Sequence, residues 1–319
     1  MRRRAILAAA ILPALPALAP AQPAWPSRPI RIIVPFGLGG SADVAARFLA
    51  EPLSNALGQP VIVENRPGAG AVIGTEAAAK ATDGHTLLLM SNTHTANETL
   101  LPRRPYALMR DFVPVAAISM AVHVLAVHPS LGVRSVAELI ARAKAAPGSI
   151  DFASSGPGTP YHIAGEVFAS LAGIQLNHIP FRGSNEARTA LIAGQVPMMF
   201  DAIPTMREQI EAGRVTGLAT TGVQRSPLLP NLPTVAETLP GYEAAIWLGL
   251  MAPTGTPEPV VRRVHDEVNR ILDAGAARQA MARGGAEPMP MSVDAFDAFL
   301  RRDIERQREW IRMARIEAG

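Results

Sequence analysis

Short runs rich in β-branched residues alternate along this chain with longer stretches whose apolar residues recur at helical spacing. Residues 30–36 (IRIIVPF) read as a strand that enters a glycine-rich turn, Gly37-Leu38-Gly39-Gly40-Ser41. A helix is predicted over 42–57, stopped by Gly58. Residues 61–64 read as a second strand, 66–70 as a second loop, and a helix of small residues runs to Ala81. Asp83-Gly84 then turns the chain into a third strand, 86–90. Residues 113–119 and 123–127 read as two more strands, 136–145 as a helix ended by Pro147-Gly148, and 150–153 as a strand. The rhythm repeats with a loop at 154–160, a helix at 161–171, a strand at 176–181, a helix at 185–192 and a strand at 196–200. Near the end, Val260, Val264, Val268, Ile271 and Leu272 form one apolar stripe. Phe296, Leu300, Ile304 and Ile311 form another behind an N-cap at Ser292. The fold class is α/β, with parallel strands covered by helices. There is no internal repeat and no linker long enough to part independent domains, as expected of two lobes that share the chain discontinuously.

Two turns in this pattern carry the same chemistry. The first glycine turn opens a helix whose first turn holds Ser41, Ala42 and Asp43. The second, Ser154-Ser155-Gly156-Pro157-Gly158-Thr159-Pro160, follows a strand and places Thr159 as N-cap and Pro160 as the first helical residue. Glycines let backbone come close to a ligand, and the first N–H groups of the helix point at it. One helix end favours an anion by about 0.3–2 kcal/mol, whereas micromolar binding needs about 8 kcal/mol. Hydrogen bonds and burial must supply the rest. One such turn in each lobe predicts a cleft that clasps an anion from both sides. Asp43 either faces the ligand or complements the dipole of its own helix.

Further candidates stand where strands end, the place at which open α/β sheets present ligands. Ser91, Asn92 and Thr93 close one strand, and Asn92 is alternatively a cap for the segment that follows. The planar fork of Arg182 takes a carboxylate in two bonds, or else forms a surface salt bridge. Asp201 accepts from a ligand amine or hydroxyl, or caps the turn at Pro204. His162, in the first turn of its helix, reads chiefly as a support for the loop.

Composition narrows the function classes. With 48% of 319 residues hydrophobic, the chain can bury a core. It has no cysteine, which removes disulfides, thiolate metal sites, a cysteine nucleophile and a lipoprotein anchor. Lys and Arg number 30 against 27 Asp and Glu, but Arg2, Arg3 and Arg4 precede an apolar stretch at 5–18 that is broken by Pro13 and Pro16. That stretch is too short for a bilayer span, and Ala19-Pro20-Ala21 follows it. We read residues 1–21 as a secretory signal peptide cleaved near Ala21, which places the mature protein in the periplasm. Without those three arginines the charges balance, so the basic isoelectric point is no argument for nucleic acid.

Enzyme motifs do not emerge. The only lysines, Lys80 and Lys144, are each followed by Ala, so a Walker loop fails. The turn at 37–40 lacks the third glycine of a dinucleotide loop, and there is neither a G-x-S-x-G elbow nor H-E-x-x-H. No carboxylate cluster accompanies His123 and His128 as a metal site would require. We expect no cofactor, no metal and no catalytic residue.

Certain segments follow one another in a characteristic order: Pro26-Ser27-Arg28-Pro29-Ile30, Val34-Pro35-Phe36, Gly39-Gly40-Ser41-Ala42-Asp43 and Val63-Glu64-Asn65-Arg66-Pro67-Gly68-Ala69-Gly70. Asp83-Gly84-His85-Thr86, Arg110-Asp111-Phe112-Val113-Pro114, the second glycine loop through His162, Ile179-Pro180-Phe181-Arg182-Gly183, Leu232-Pro233-Thr234 and Ala252-Pro253-Thr254-Gly255 continue it. In these words the chain, from residue 25 to about 283, resembles the periplasmic solute-binding receptors of tripartite tricarboxylate transporters, the TctC or Bug-type family. The resemblance implies a type II periplasmic-binding-protein fold, two α/β lobes with a ligand cleft between them. Lobe 1 would comprise 22–118 plus 244–319 and lobe 2 would comprise 119–243, with crossings at 113–119 and 242–250. It further implies a ligand carboxylate held by backbone N–H groups and bridging waters. By position, Phe36, Gly39, Gly40 and Asp43 line one lobe with Ser91, Asn92 and Thr93 nearby. Ser154, Gly156, Gly158, Thr159, His162, Gly183 and Asp201 line the other. The implied function is capture of a small carboxylate (dicarboxylate, tricarboxylate, acidic amino acid or aromatic acid) by a monomer that serves membrane transporter subunits. A ligand-sensing subunit and an enzyme on the same fold are the alternatives. Leu38 stands where the family often has proline or a small residue, implying a bulkier first loop and a narrower or greasier pocket. Phe181-Arg182 replaces the commoner tyrosine–lysine.

Overall fold

Strand and helix alternate through the first hundred residues as the pattern predicts. β1 (Ile30–Val34) leads into α1 (Ser41–Leu57), β2 (Val61–Asn65) into α2 (Val72–Ala79), and β3 (Thr86–Ser91) into α3 (Asn92–Leu100). A single helical turn, α4 (Leu108–Asp111), precedes the long β4 (Phe112–Val127). The second half holds α5 (Val136–Ala145), β5 (Asp151–Ser154), α6 (Pro160–Ala172), β6 (Asn177–Pro180), α7 (Ser184–Ile192), β7 (Met198–Ala202), α8 (Ile203–Glu211) and β8 (Thr216–Thr220). The chain returns through β9 (Ala245–Pro253) and closes with α9 (Glu258–Asp273), α10 (Gly275–Gly284), the short β10 (Glu287–Pro288) and α11 (Val293–Met313). This computed structural model describes residues 25–317, so the signal-peptide reading lies outside the described residues.

Each lobe has a parallel core strand. β1 lies between β2 and β3, parallel to both, and β9 joins β3 to β4 antiparallel. In the other lobe β5 lies parallel between β6 and β7, and β7 runs antiparallel to β4. β8 and β10 add antiparallel edges to β4. The apolar stripes fall where periodicity puts them: Val260, Val264, Val268, Ile271 and Leu272 are buried on α9, and Phe296, Leu300, Ile304 and Ile311 on α11.

Residues 113–119 and 123–127, read from the sequence as separate strands, are one. The stretch between them stays paired, Met120 to Trp247, Ala121 to Ile246 and Val122 to Ala245. Two register shifts, between Pro114 and Ala116 and between Ala117 and Ser119, bend β4 and interrupt its alternation. Several elements escaped the pattern: the short α4 and β10, the helices α8 and α10, and two whose composition hides them. α3 (NTHTANETL) has no apolar stripe, yet all but Glu98 and Thr99 of it is buried, and β8 is a short strand with a glycine at its second position.

The lobes join where β4 changes partner, from β9 at Val122 to β7 at His123. Thr221, just past β8, ties this crossing together. Its hydroxyl accepts from His123 N–H at 2.7 Å and donates to Ala244 O at 2.5 Å. Its backbone N–H donates to His123 O at 2.9 Å, and its carbonyl accepts from Ala244 N–H at 3.1 Å. Among the described residues no helix is long and apolar enough to cross a membrane.

Replacing Thr221 with Val keeps its shape but leaves a buried N–H on His123 without an acceptor. Urea unfolding of Thr221→Val is expected to show a loss of about 1–3 kcal/mol with an unchanged slope. A midpoint equal to wild type would show that the crossing does not depend on this hydroxyl.

Candidate functional site

The first turns of three helices meet between the lobes. A cavity of about 30 Å³ is lined by Gly40, Ser41 and Ala42 at the start of α1, Pro160 and Tyr161 at the start of α6, and Gly183 and Ser184 at the start of α7. Phe36, Gly37, Ser91, Ser155 and Ile246 complete its wall. The first N–H groups of a helix have no partner within it. Here those of Ser41, Ala42, Asp43, Tyr161, His162, Asn185 and Glu186 find no acceptor among the described residues. The lobes touch around this point: Ser41 Oγ stands 3.1 Å from the Tyr161 hydroxyl. A methyl group built on Gly183, whose backbone is extended (φ −172°), would lie 3.5 Å from the Gly37 Cα.

Phe36 and Ser155 also line a second, wider cleft of about 920 Å³. Its walls are the loop from Pro67 to Val72, the segment from Leu100 to Pro105, the second glycine loop and Arg182. Arg103, Arg104 and Arg182 face it, and no acidic residue does. Arg182 is exposed and forms no ion pair among the described residues, whereas Arg104 is bound to Glu98.

The first loop is held by Asp43. Its carboxylate accepts from Gly39 N–H at 3.0 Å and from Arg47 Nε at 3.0 and 3.1 Å. Burial pushes the Asp43 carboxyl up, but the bonds from Arg47 and Gly39 outweigh it and hold it below the usual range. Asp43 thus shapes the turn rather than presenting its oxygens to the cavity. Leu38 is 63% exposed and lines neither space, so it does not narrow the pocket as the resemblance implied.

The second loop spends its donors on itself. Gly156 N–H donates to Ser154 Oγ at 3.1 Å, Gly158 N–H to His162 Nδ1 at 3.1 Å, and Thr159 N–H to Gly156 O at 3.3 Å. Thr159 is the N-cap of α6 by position, but its hydroxyl donates to Gly156 O at 2.7 Å and caps no amide. His162 supports this loop as expected and stacks on His178, with ring centroids 3.9 Å apart. Gly158 (φ +70°) needs to be glycine twice over, since a methyl group there would also lie 3.0 Å from Leu100 Cδ1 and 3.1 Å from Asn97 Oδ1.

The other strand-end candidates are buried supports. Ser91 lines the cavity and caps α3, accepting from Thr93 N–H at 3.2 Å, so the cap is Ser91 and not Asn92. Asn92 Nδ2 instead donates to Ala245 O at 2.9 Å, and Thr93 is fully buried. Asp201 is fully buried, its carboxylate accepting from Arg188 Nε at 2.8 Å and from Ala202 N–H at 2.9 Å. It does not cap the turn at Pro204. Sequence reasoning passed over Tyr161, Ser184, Arg103 and Arg188. Gly183-Ser184 repeats the glycine–serine–helix signature of Gly40-Ser41 and was legible on that ground, whereas nothing in the sequence marks Tyr161 or Arg188.

His94 secures the start of α3 in its neutral form. Thr75 Oγ1 donates to Ala71 O at 2.7 Å and therefore accepts from His94 Nε2–H at 3.0 Å, leaving Nδ1 bare to accept from Ser91 N–H at 3.2 Å. Burial lowers the His94 pKa from 6.5 to about 4, against the opposing pull of the Ser91 carbonyl, which lies 3.1 Å from Nδ1 and would accept a proton placed there. A depressed folded-state value means that the contribution is complete above pH 6.5 and is lost as pH falls toward 4. The pH dependence of the unfolding free energy between 7 and 4 should be shallower in His94→Gln than in wild type, by at most about 1.4 kcal/mol per pH unit. Parallel curves would exclude this role.

The geometry is shared with known proteins. The family model described as tripartite tricarboxylate transporter family receptor, TctC, matches residues 45–316. Protein BugT of Bordetella pertussis is 39% identical over 281 residues, 87% of this chain and 86% of its own. Among solved structures, R. palustris Rpa4515 with adipate superposes with a TM-score of 0.89 at 32% identity, covering 92% of this chain and 99% of that one. MatC from Rhodopseudomonas palustris with bound malate gives a TM-score of 0.85 at 30% identity, covering 90% and 100%. Matching the family model over most of its length, and these relatives in sequence or fold over 87–92% of its own, the chain belongs to the TctC family of periplasmic solute-binding receptors.

Proposed function

We propose that this protein is an exported, monomeric receptor, not an enzyme, that captures a small dicarboxylate between its lobes and delivers it to subunits of a membrane transporter. The lobes divide near residues 119 and 243, and the leader at 1–21 directs export. One observation carries the reading: the first turns of α1, α6 and α7, drawn from both lobes, meet at one small cavity, and the amides of Ser41, Ala42 and Tyr161 in its wall are unspent. Partial positive charge converging from several helix starts suits one carboxylate.

The ligand's length follows from the two spaces. A cavity of about 30 Å³ admits one water-sized group, so a carboxylate seated there extends past Phe36 and Ser155 into the wider cleft. That cleft offers Arg182 and Arg103 to a second anionic group. Contacts are proposed at Phe36, Gly40, Ser91 and Gly183 around the first carboxylate, with Gly156, Gly158, Thr159 and Arg182 along the wider part. Gly39, Asp43, Asn92, Thr93, Ser154, His162 and Asp201 hold those walls. The relatives solved with adipate and with malate, both dicarboxylates, support this class.

A thermal-shift panel of mono-, di- and tricarboxylates, acidic amino acids and aromatic acids tests the reading. A bound acid at 100 times its Kd should add about 2.7 kcal/mol of stability, and dicarboxylates should lead the panel. Absence of any shift across the panel would refute carboxylate capture.

Gly183→Leu tests the closure. Its backbone is extended, so leucine brings no conformational strain, but the side chain would stand between the lobes against Gly37. The variant is expected to unfold within a degree or two of wild type and to bind at least about tenfold more weakly, ~1.4 kcal/mol. Wild-type affinity would place the ligand away from this contact.

A further inference from the structure

A second cation lies behind the cavity. Arg188 is on α7 one turn beyond Ser184, and positions four apart share a helix face; Ser184 lines the cavity. Arg188 is only 8% exposed, and its partner Asp201 is fully buried. Their contact is single: Nε donates to Asp201 Oδ2 at 2.8 Å, while Oδ1 accepts from Ala202 N–H. Arg188 Nη2 is buried with no acceptor. A guanidinium carries five donors, and leaving one buried and unused is costly. A purely structural ion pair would gain from the two-bond fork, which this pair does not form.

Tyr161 brings the pair to the site. It lines the cavity and reaches Ser41 across the lobes. Burial and the Asp201 charge push its hydroxyl up, while Ser41 and the Arg188 charge pull it down, so both members of the pair act at its position.

From this geometry, and resting on the carboxylate reading above, we infer that Arg188 is the specificity-determining cation of lobe 2. Its spare donor and charge select an anionic ligand at the starts of α6 and α7, and Asp201 holds it in place.

Comparing two variants that both carry asparagine at 201 isolates the arginine. Asp201→Asn and the double variant Asp201→Asn/Arg188→Met are titrated calorimetrically with adipate, malate and citrate, and with the neutral adipamide. Thermal unfolding establishes that each folds, and wild type replaces the single variant as comparator if that variant does not. The single variant should bind the acids at least tenfold more tightly than the double variant, with no such gap for adipamide. Equal affinity of the two for the acids would reduce Arg188 to a structural partner and overturn the inference while the carboxylate reading stands. Wild type that binds no acid would overturn that reading, and this inference with it.

Discussion

The two lobes meet through backbone. Gly37 faces Gly183 with no side chain between them, and a methyl group on Gly40 would lie 3.1 Å from Ser184 Oγ. This is the constraint on which the site depends. Amide dipoles are weak individually and fall off within a helical turn, so opposed helix starts act on one anion only if both backbones come within hydrogen-bond reach of it. Glycine at these positions is therefore a requirement of distance more than of conformation, since Gly183 itself is extended.

The surrounding charges are arranged so that those dipoles are not opposed. Asp43 stands at the start of α1, where an anion would compete with the ligand for the same amides, but it is turned toward Arg47 and Gly39 N–H. Asp201 is turned away to Arg188 and Ala202 N–H, each through one bond. Three histidines are kept uncharged: burial lowers His123 and the half-buried His178 to about 3, with the neighbouring His162 adding to the effect at His178, and His94 to about 4. The positive character of the cleft thus comes from fixed dipoles and arginines.

Much of this was legible in the sequence where one residue decides the outcome. Gly58 and Pro147-Gly148 stop helices, and the stripes on α9 and α11 predict buried faces that the fold shows. Gly40-Ser41 marked one helix start at the cavity, whereas the same words at Gly183-Ser184 were legible but passed over. The parts that stayed hidden depend on tertiary partners. α3 is buried by what packs around it and not by its own pattern, and β4 reads as two strands although residues 120–122 pair with β9 without a break. Local signals also misassign donors. The second loop has the composition of an anion cradle, yet His162 and Ser154 occupy its amides, and only the folded arrangement reveals that. Asp201 was visible at the end of β7, but its partner, thirteen residues earlier on α7, was not.

The central claim is that one carboxylate group is held jointly by the helix starts of both lobes. A crystal structure of the protein with the tightest-binding acid tests it directly. The account predicts carboxylate oxygens within about 3.2 Å of first-turn backbone nitrogens from α1 on one side and from α6 or α7 on the other. An acid held by a single lobe, or seated in the wider cleft with its carboxylates on arginines alone, would contradict it.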